Sequence, residues 1–94
     1  MKHMHYEWDE RKRLINLKKH GLDFFDADLV FNSSHVIAPS PHSSEERFLA
    51  IGTFEGRFVA VVYTMRAGAI RVISFRRARN EERDTYQKLF DSRA

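Results

Sequence analysis

The spacing of apolar residues changes along the chain, and each change marks a new kind of element. In "HYEW", residues 5–8, apolar and polar positions alternate weakly, the pattern of a short first strand. Asp9 suits a helix N-cap, and Glu10 then places negative charge in the first turn, where it favours the helix dipole. Leu14, Ile15 and Leu17 give the segment an apolar side, Lys18, Lys19 and His20 fill a last turn, and Gly21 supplies a left-handed stop. The pattern predicts a helix over residues 9–20. Asp23 looks like the next cap. Phe24, Ala27 and Phe31 recur at helical spacing, with Phe25 and Leu29 widening the stripe, so a second short helix is predicted over about residues 24–31.

"NSSHVIAPSPHSSEE" reads as a loop in which His35 to Ala38 forms a brief edge strand before Pro39 and Pro41 interrupt pairing. From Arg47 the period becomes two, in "RFLAIGTF", "RFVAVVYTMR" and "IRVISFRR". Glu55-Gly56 suits a two-residue hairpin turn and Ala67-Gly68-Ala69 a three-residue one, giving an antiparallel meander. After Arg77 the helical period returns: Asn80 is a cap candidate, Glu81 and Glu82 fill a first turn, and Tyr86, Leu89 and Phe90 share a face. Two N-terminal helices, an antiparallel meander sheet and a C-terminal helix make an α+β fold. A chain of 94 residues builds one core, so residues 1–94 form a single domain.

These turns set a register. Arg47 faces Thr64, Arg66 faces Ile70, Ser74 faces Val62 and Arg76 faces Ala60. Arg47, Thr64, Arg66, Ser74 and Arg76 then share a face with Leu49, Ile51, Ala60, Val62 and Val72, apolar in the middle and basic at both ends. Phe48, Ala50, Val59, Val61, Tyr63, Met65, Ile73 and Phe75 fall on the other. Arg66 and Arg76 lie roughly 20 Å apart, too far to share one phosphate.

Charge changes the picture through its distribution. The net value is only +3, from 16 Lys and Arg against 13 Asp and Glu, but basic residues cluster in "RKRLINLKKH" and "FRRAR". Arg76, Arg77 and Arg79 stand where the last strand hands over to a helix, the place for a phosphate-binding edge; the plainer alternative is that Glu81 or Glu82 pairs with them. The chain contains no cysteine, which removes disulfides and thiolate metal sites and fits a reducing cytoplasm. No apolar run approaches the ~20 residues that span a bilayer, so no membrane partner is expected.

The chemistry left open is narrow. There is no His-Glu-x-x-His, His3-x-His5 sits at a terminus, and nothing resembles a nucleophile elbow or a glycine-rich phosphate loop. No metal or cofactor is therefore expected. Metal-free RNA cleavage remains, because RNA carries its own nucleophile in the 2′-hydroxyl. It needs a proton acceptor, a donor and fixed positive charge on the phosphoryl oxygens. Arginine supplies the last, and histidine exchanges protons near neutrality. His20 is the candidate, against an ordinary helix-end role. Trp8 and Tyr63 can stack unpaired bases, or serve as core aromatics with a wet polar tip.

The order of motifs resembles the BrnT family of type II toxins: "EWD" at 7–9, "KHG" at 19–21, "EER" before "IG", "VVYT-x-R", and "R-x-IS-x-RRA" before "E-R-x-x-Y". The resemblance covers about residues 6–86. It implies a RelE-like fold and a cytoplasmic ribonuclease that arrests growth, cutting RNA without a metal. It also implies a BrnA-type antitoxin with a ribbon-helix-helix part, through which alone the complex reaches operator DNA. Site residues implied are Glu7, Trp8, Lys19, His20, Arg66, Arg76, Arg77, Arg47 and Tyr86. Two departures stand out: Phe75 replaces a small residue, and "IAPSPHSSEER" lacks an acidic residue before the "EER". The alternative is a catalytically silent nucleic-acid-binding or co-repressor module, which binds in a salt-sensitive way without cleaving.

Overall fold

Five strands in the order β1-β5-β4-β3-β2 organise the chain, with helices on both faces and along one edge. The computed structural model describes residues 4–40 and 45–91; His3 and residues 41–44 of the loop lie outside them. The elements are β1 (Tyr6–Trp8), α1 (Glu10–His20), a 3-10 turn (Phe24–Asp26), α2 (Ala27–Phe31), β2 (His35–Ser40), β3 (Arg47–Phe54), β4 (Arg57–Arg66), β5 (Ala69–Arg77) and α3 (Asn80–Asp91). The fold is α+β as expected, but the meander is widened. β2 adds antiparallel to β3, and β1 adds parallel to β5, making the sheet mixed.

α1 begins and ends as its sequence dictates. The Asp9 carboxylate accepts from the backbone N–H groups of Arg11 at 2.8 Å and Lys12 at 3.3 Å. Gly21 closes the helix at φ 69°, its N–H donating to the Leu17 carbonyl at 2.8 Å. The second helical segment is a 3-10 turn running into α2, capped by Asp23, which accepts from the Phe25 N–H.

The β4–β5 connection corrects the expected register. Arg66 pairs with Ala69, not Ile70, so the turn has two residues, Ala67 and Gly68, at φ 51° and 81°. A bulge at Ile73 takes up the extra residue: Tyr63 faces Val72 while Val62 faces Ser74. Arg76 still faces Ala60, and Arg66 and Arg76 still share a face. Val72, however, moves to the opposite face, where it joins the core with Ile70 and Phe75.

That core packs Phe24, Ala27 and Val30 against Ala50, Val59, Val61, Tyr63 and Phe75. The unexpected Phe75 is completely buried, edge-on to Phe54 at 5.6 Å between centroids. On the other face, Val36, Leu49, Ile51 and Ala60 lie under Tyr86 and Phe90 of α3. A helix therefore reaches each face.

α1 covers neither face. Leu14 and Ile15 are 53% and 65% exposed, and the one buried residue of the helix is Asn16. Its amide closes the edge of β5 beyond β1: Nδ2 donates to the Phe75 carbonyl at 2.8 Å and to the Leu22 carbonyl at 2.9 Å, while Oδ1 accepts from the Phe75 N–H at 3.1 Å. The side chain does what a neighbouring strand would do, satisfying both backbone groups of one residue.

Candidate active site

Asn16 holds the C-terminal end of α1 against β5 immediately before Arg76. Adjacent strand residues point to opposite faces, so Arg76 and Arg77 diverge, and His20 sits at the edge where it meets both. Burial, together with the neighbouring charges of Lys19 and Arg76, lowers the His20 pKa below its ordinary 6.5. At neutral pH the ring is therefore unprotonated and able to accept a proton.

His20 borders two hollows. One, of about 190 Å³, lies between α1 and the bulge and includes Lys19, Asn16, Ile73 and Ser74. The other, of about 250 Å³, brings His20 together with Leu22, Phe54, Glu55, Arg57, Val59 and Arg77. Arg77 faces Val59, and Arg57 lies two residues along β4 on the same side. Arg57 and Arg77 form no ion pair among the described residues. Glu55 opens the β3–β4 turn at φ 51°, a left-handed conformation that disfavours any side chain except those of Asn, Asp or Gly. Neither Glu55 nor Arg57 was singled out from sequence. The signal lay in the register: once Arg76 faces Ala60, Arg77 must face Val59, and Arg57 follows.

Arg76 is bound on its own face. Nη1 donates to Glu82 Oε1 at 2.8 Å and Nη2 to Oε2 at 3.0 Å, a bidentate pair with side chains only 14% and 8% exposed. Burial pushes the Glu82 carboxyl up, but bonds from Arg76 and from the Arg79 N–H outweigh it and leave the pKa below its usual value. The Arg79 N–H donates to Glu82 Oε1 at 2.8 Å and the Arg79 carbonyl accepts from Glu82 and Arg83. Arg79, not Asn80, is thus the N-cap position of α3, with Glu82 reaching back from the third position. Beside this pair lies a hollow of about 410 Å³ floored by Leu49, Ile51 and Val62.

The other sequence candidates lie elsewhere. Trp8 packs edge-on against Phe24 and Phe25, and its Nε1 donates to Glu10 at 3.3 Å. Glu7 Oε1 is buried with Arg71 3.6 Å away, ion-pair distance but too long for a hydrogen bond. Both stand beside the start of α1, about 16 Å from His20 along the helix. Tyr63 is 5% exposed, its ring packed on Phe31 and Phe48, which leaves no face for a base. Tyr86 is sandwiched between Phe58 and Phe90. Arg47 pairs with Glu45 at 3.1 Å, and Arg66 is exposed at the far end of β4. The structure brings Lys19, His20, Arg76 and Arg77 to one end of the sheet, keeps Arg79 beside Arg76, and places the remaining candidates elsewhere.

A family model described as the ribonuclease toxin BrnT of type II toxin-antitoxin systems matches residues 8–82. The chain belongs to the BrnT family. It is similar to the crystal structure of the ribonuclease toxin BrnT from Brucella abortus, with 39% sequence identity, a TM-score of 0.69, and coverage of 83% of this chain and 100% of that one. No curated protein sequence matches it. A BrnT toxin is a ribonuclease paired with an antitoxin, so RNA and an antitoxin are its partners in kind. Among the described residues, no helix is long and apolar enough to cross a membrane.

Proposed function

We propose that this BrnT-family chain cleaves RNA without a metal, by attack of the substrate's own 2′-hydroxyl, in the hollow shared by His20, Arg57 and Arg77. The observation that carries the reading is a histidine whose protonation is disfavoured, beside two arginines that form no ion pair among the described residues. His20 accepts the 2′-hydroxyl proton as the oxygen attacks phosphorus. The bond from phosphorus to the 5′-oxygen breaks, and water gives that oxygen its proton. The products are a 2′,3′-cyclic phosphate and a free 5′-hydroxyl. Arg57 and Arg77 bind the phosphoryl oxygens, whose charge grows in the transition state. Arg76, engaged by Glu82, acts through His20 by disfavouring its protonation.

The partner in this reading is a BrnA-type ribbon-helix-helix antitoxin, which inhibits by covering the basic end of the sheet and alone contacts operator DNA. The RelE-like architecture belongs to the same reading and is supported by two N-terminal helical segments preceding an antiparallel meander.

Purified protein, freed of antitoxin, is incubated in EDTA with RNA carrying single-stranded loops, and the ends are analysed. Cleavage leaving 2′,3′-cyclic phosphate is expected, with the acid limb of the pH–rate profile centred below 6.5 and lost in His20→Ala. Folded protein that binds RNA but never cuts it overturns the reading in favour of a binding module.

A further inference from the structure

Beyond Arg57 and Arg77, the end of the sheet opens into a fourth hollow of about 460 Å³, between the β3–β4 turn and the start of α3. It is lined by Gly56, Arg57, Phe58, Arg77, Ala78 and Arg83. No carboxylate is among them, and none of the three arginines forms an ion pair among the described residues. The neighbouring acid Glu82 is spent on Arg76 and the Arg79 N–H, and it lines the hollow on the other side of α3. Three guanidinium groups around one unneutralised concavity repel each other, and an anion relieves that repulsion.

The hollow also carries an aromatic support. The Arg83 guanidinium carbon lies over the Phe58 ring at 5.0 Å from its centroid, and Tyr86 braces that ring edge-on at 5.4 Å. A guanidinium held on an aromatic face keeps its N–H edge for phosphate and its outer plane for a nucleobase. The size falls within the ~300–1,000 Å³ of small-ligand sites. Because Arg57 and Arg77 line both this hollow and the His20 hollow, the two adjoin, and a chain with one phosphate at His20 can lay its neighbour in the second.

We propose that the Arg57–Phe58–Arg83 hollow is a subsite for the nucleotide flanking the scissile phosphate of single-stranded RNA, with Arg83 as the residue that binds its phosphate and stacks its base. The inference rests on the ribonuclease reading for its substrate, and its test is independent of cleavage. A 2′-O-methyl RNA decamer, which lacks the nucleophile, is titrated against intact protein over a range of salt concentrations.

Arg83→Ala is expected to weaken binding about tenfold and to reduce the slope of log K against log salt by roughly 0.7, the loss of one single-strand phosphate contact. Arg83→Gln is measured beside it in case alanine perturbs the helix, and urea midpoints verify folding. Arg11→Ala, at the opposite end of α1, serves as the control for general charge. Decamer affinity equal to wild type in the folded Arg83 variants overturns the subsite, as does an effect no larger than that of Arg11→Ala. Loss of antitoxin affinity with RNA binding unchanged also overturns it, assigning the hollow to the antitoxin. Absence of cleavage by the wild type, with Arg83-dependent decamer binding intact, would sink the catalytic reading and leave the subsite standing.

Discussion

Replacing Arg76 with alanine strips a buried carboxylate of two of its three hydrogen bonds. Glu82 receives Nη1 at 2.8 Å, Nη2 at 3.0 Å and the Arg79 N–H at 2.8 Å, and only the last survives. With the two side chains 14% and 8% exposed, solvent does little to screen or replace the lost partner. Breaking a buried pair from one side costs about 3–5 kcal/mol, because the remaining charge is left uncompensated. For a domain of this size that is a drop in Tm of at least about 12 °C, at ~4 °C or more per kcal/mol. Charge reversal at Arg76 would be worse, setting two carboxylates against each other.

The informative comparison adds Arg76→Met with Glu82→Leu. Removing both charges together should recover most of the lost stability, since apolar replacement of a buried pair is close to neutral. Cleavage should stay impaired, because His20 has lost the cation that disfavours its protonation. Urea unfolding followed by circular dichroism measures the first effect and the pH–rate profile the second. A loss below about 1 kcal/mol in Arg76→Ala would refute the reasoning, as it would mean that water reaches Glu82 in the folded protein.

Three other outcomes follow from the geometry. Asn16→Ala leaves the Phe75 N–H and carbonyl without partners and should cost about 3 kcal/mol or more in urea unfolding, at ~1–3 kcal/mol per buried unsatisfied group. Glu55→Asn and Ala67→Asn both relieve a left-handed residue and should each stabilise by up to about 1 kcal/mol, yet only Glu55→Asn should alter cleavage, since Glu55 alone of the two lines the His20 hollow. The Glu82 carboxyl has a folded pKa below its ordinary 4.5, so its contribution is complete above that value and is lost as pH falls through the lower folded one; Glu82→Gln should flatten the dependence of the urea midpoint on pH below 4.5.

Local signals in the sequence carried most of the elements. Asp9 and Gly21 bound α1 because capping chemistry is contained in a few neighbouring residues, and the same holds for Asp23. Alternation from Arg47 onward gave the three central strands. The failures were all non-local. Nothing in Ala67-Gly68-Ala69 distinguishes a three-residue turn from a two-residue turn compensated by a bulge at Ile73, because both leave Arg76 opposite Ala60. The parallel pairing of β1 with β5 joins residues more than 60 positions apart, from Tyr6↔Ile70 to Trp8↔Val72. Leu14, Ile15 and Leu17 give α1 an apolar side, yet α1 seals an edge, and its decisive residue is the polar Asn16. For the site, charge clustering pointed to Lys19, His20, Arg76 and Arg77. It had no means of adding Arg57 or of removing Tyr63, since both depend on which face a strand residue occupies.

Closing the β5 edge with a helix has a chemical consequence that closing it with a strand would not. A helix brings its C-terminal end, with free carbonyls and partial negative charge, next to Arg76 and Arg77. That end on its own favours a protonated histidine, by about 0.3–1 kcal/mol at an exposed position. At His20 burial and the flanking cations Lys19 and Arg76 act in the opposite direction and lower its pKa. The base is therefore tuned by burial first and by the positive charge of Lys19 and Arg76 second. Removing one cation should raise the His20 pKa while weakening RNA binding. In Lys19→Gln the ring-proton titration of His20 by NMR is expected to move upward relative to the intact protein. A downward or absent shift would mean that burial alone sets the base, and that the arrangement of cations around it serves the substrate only.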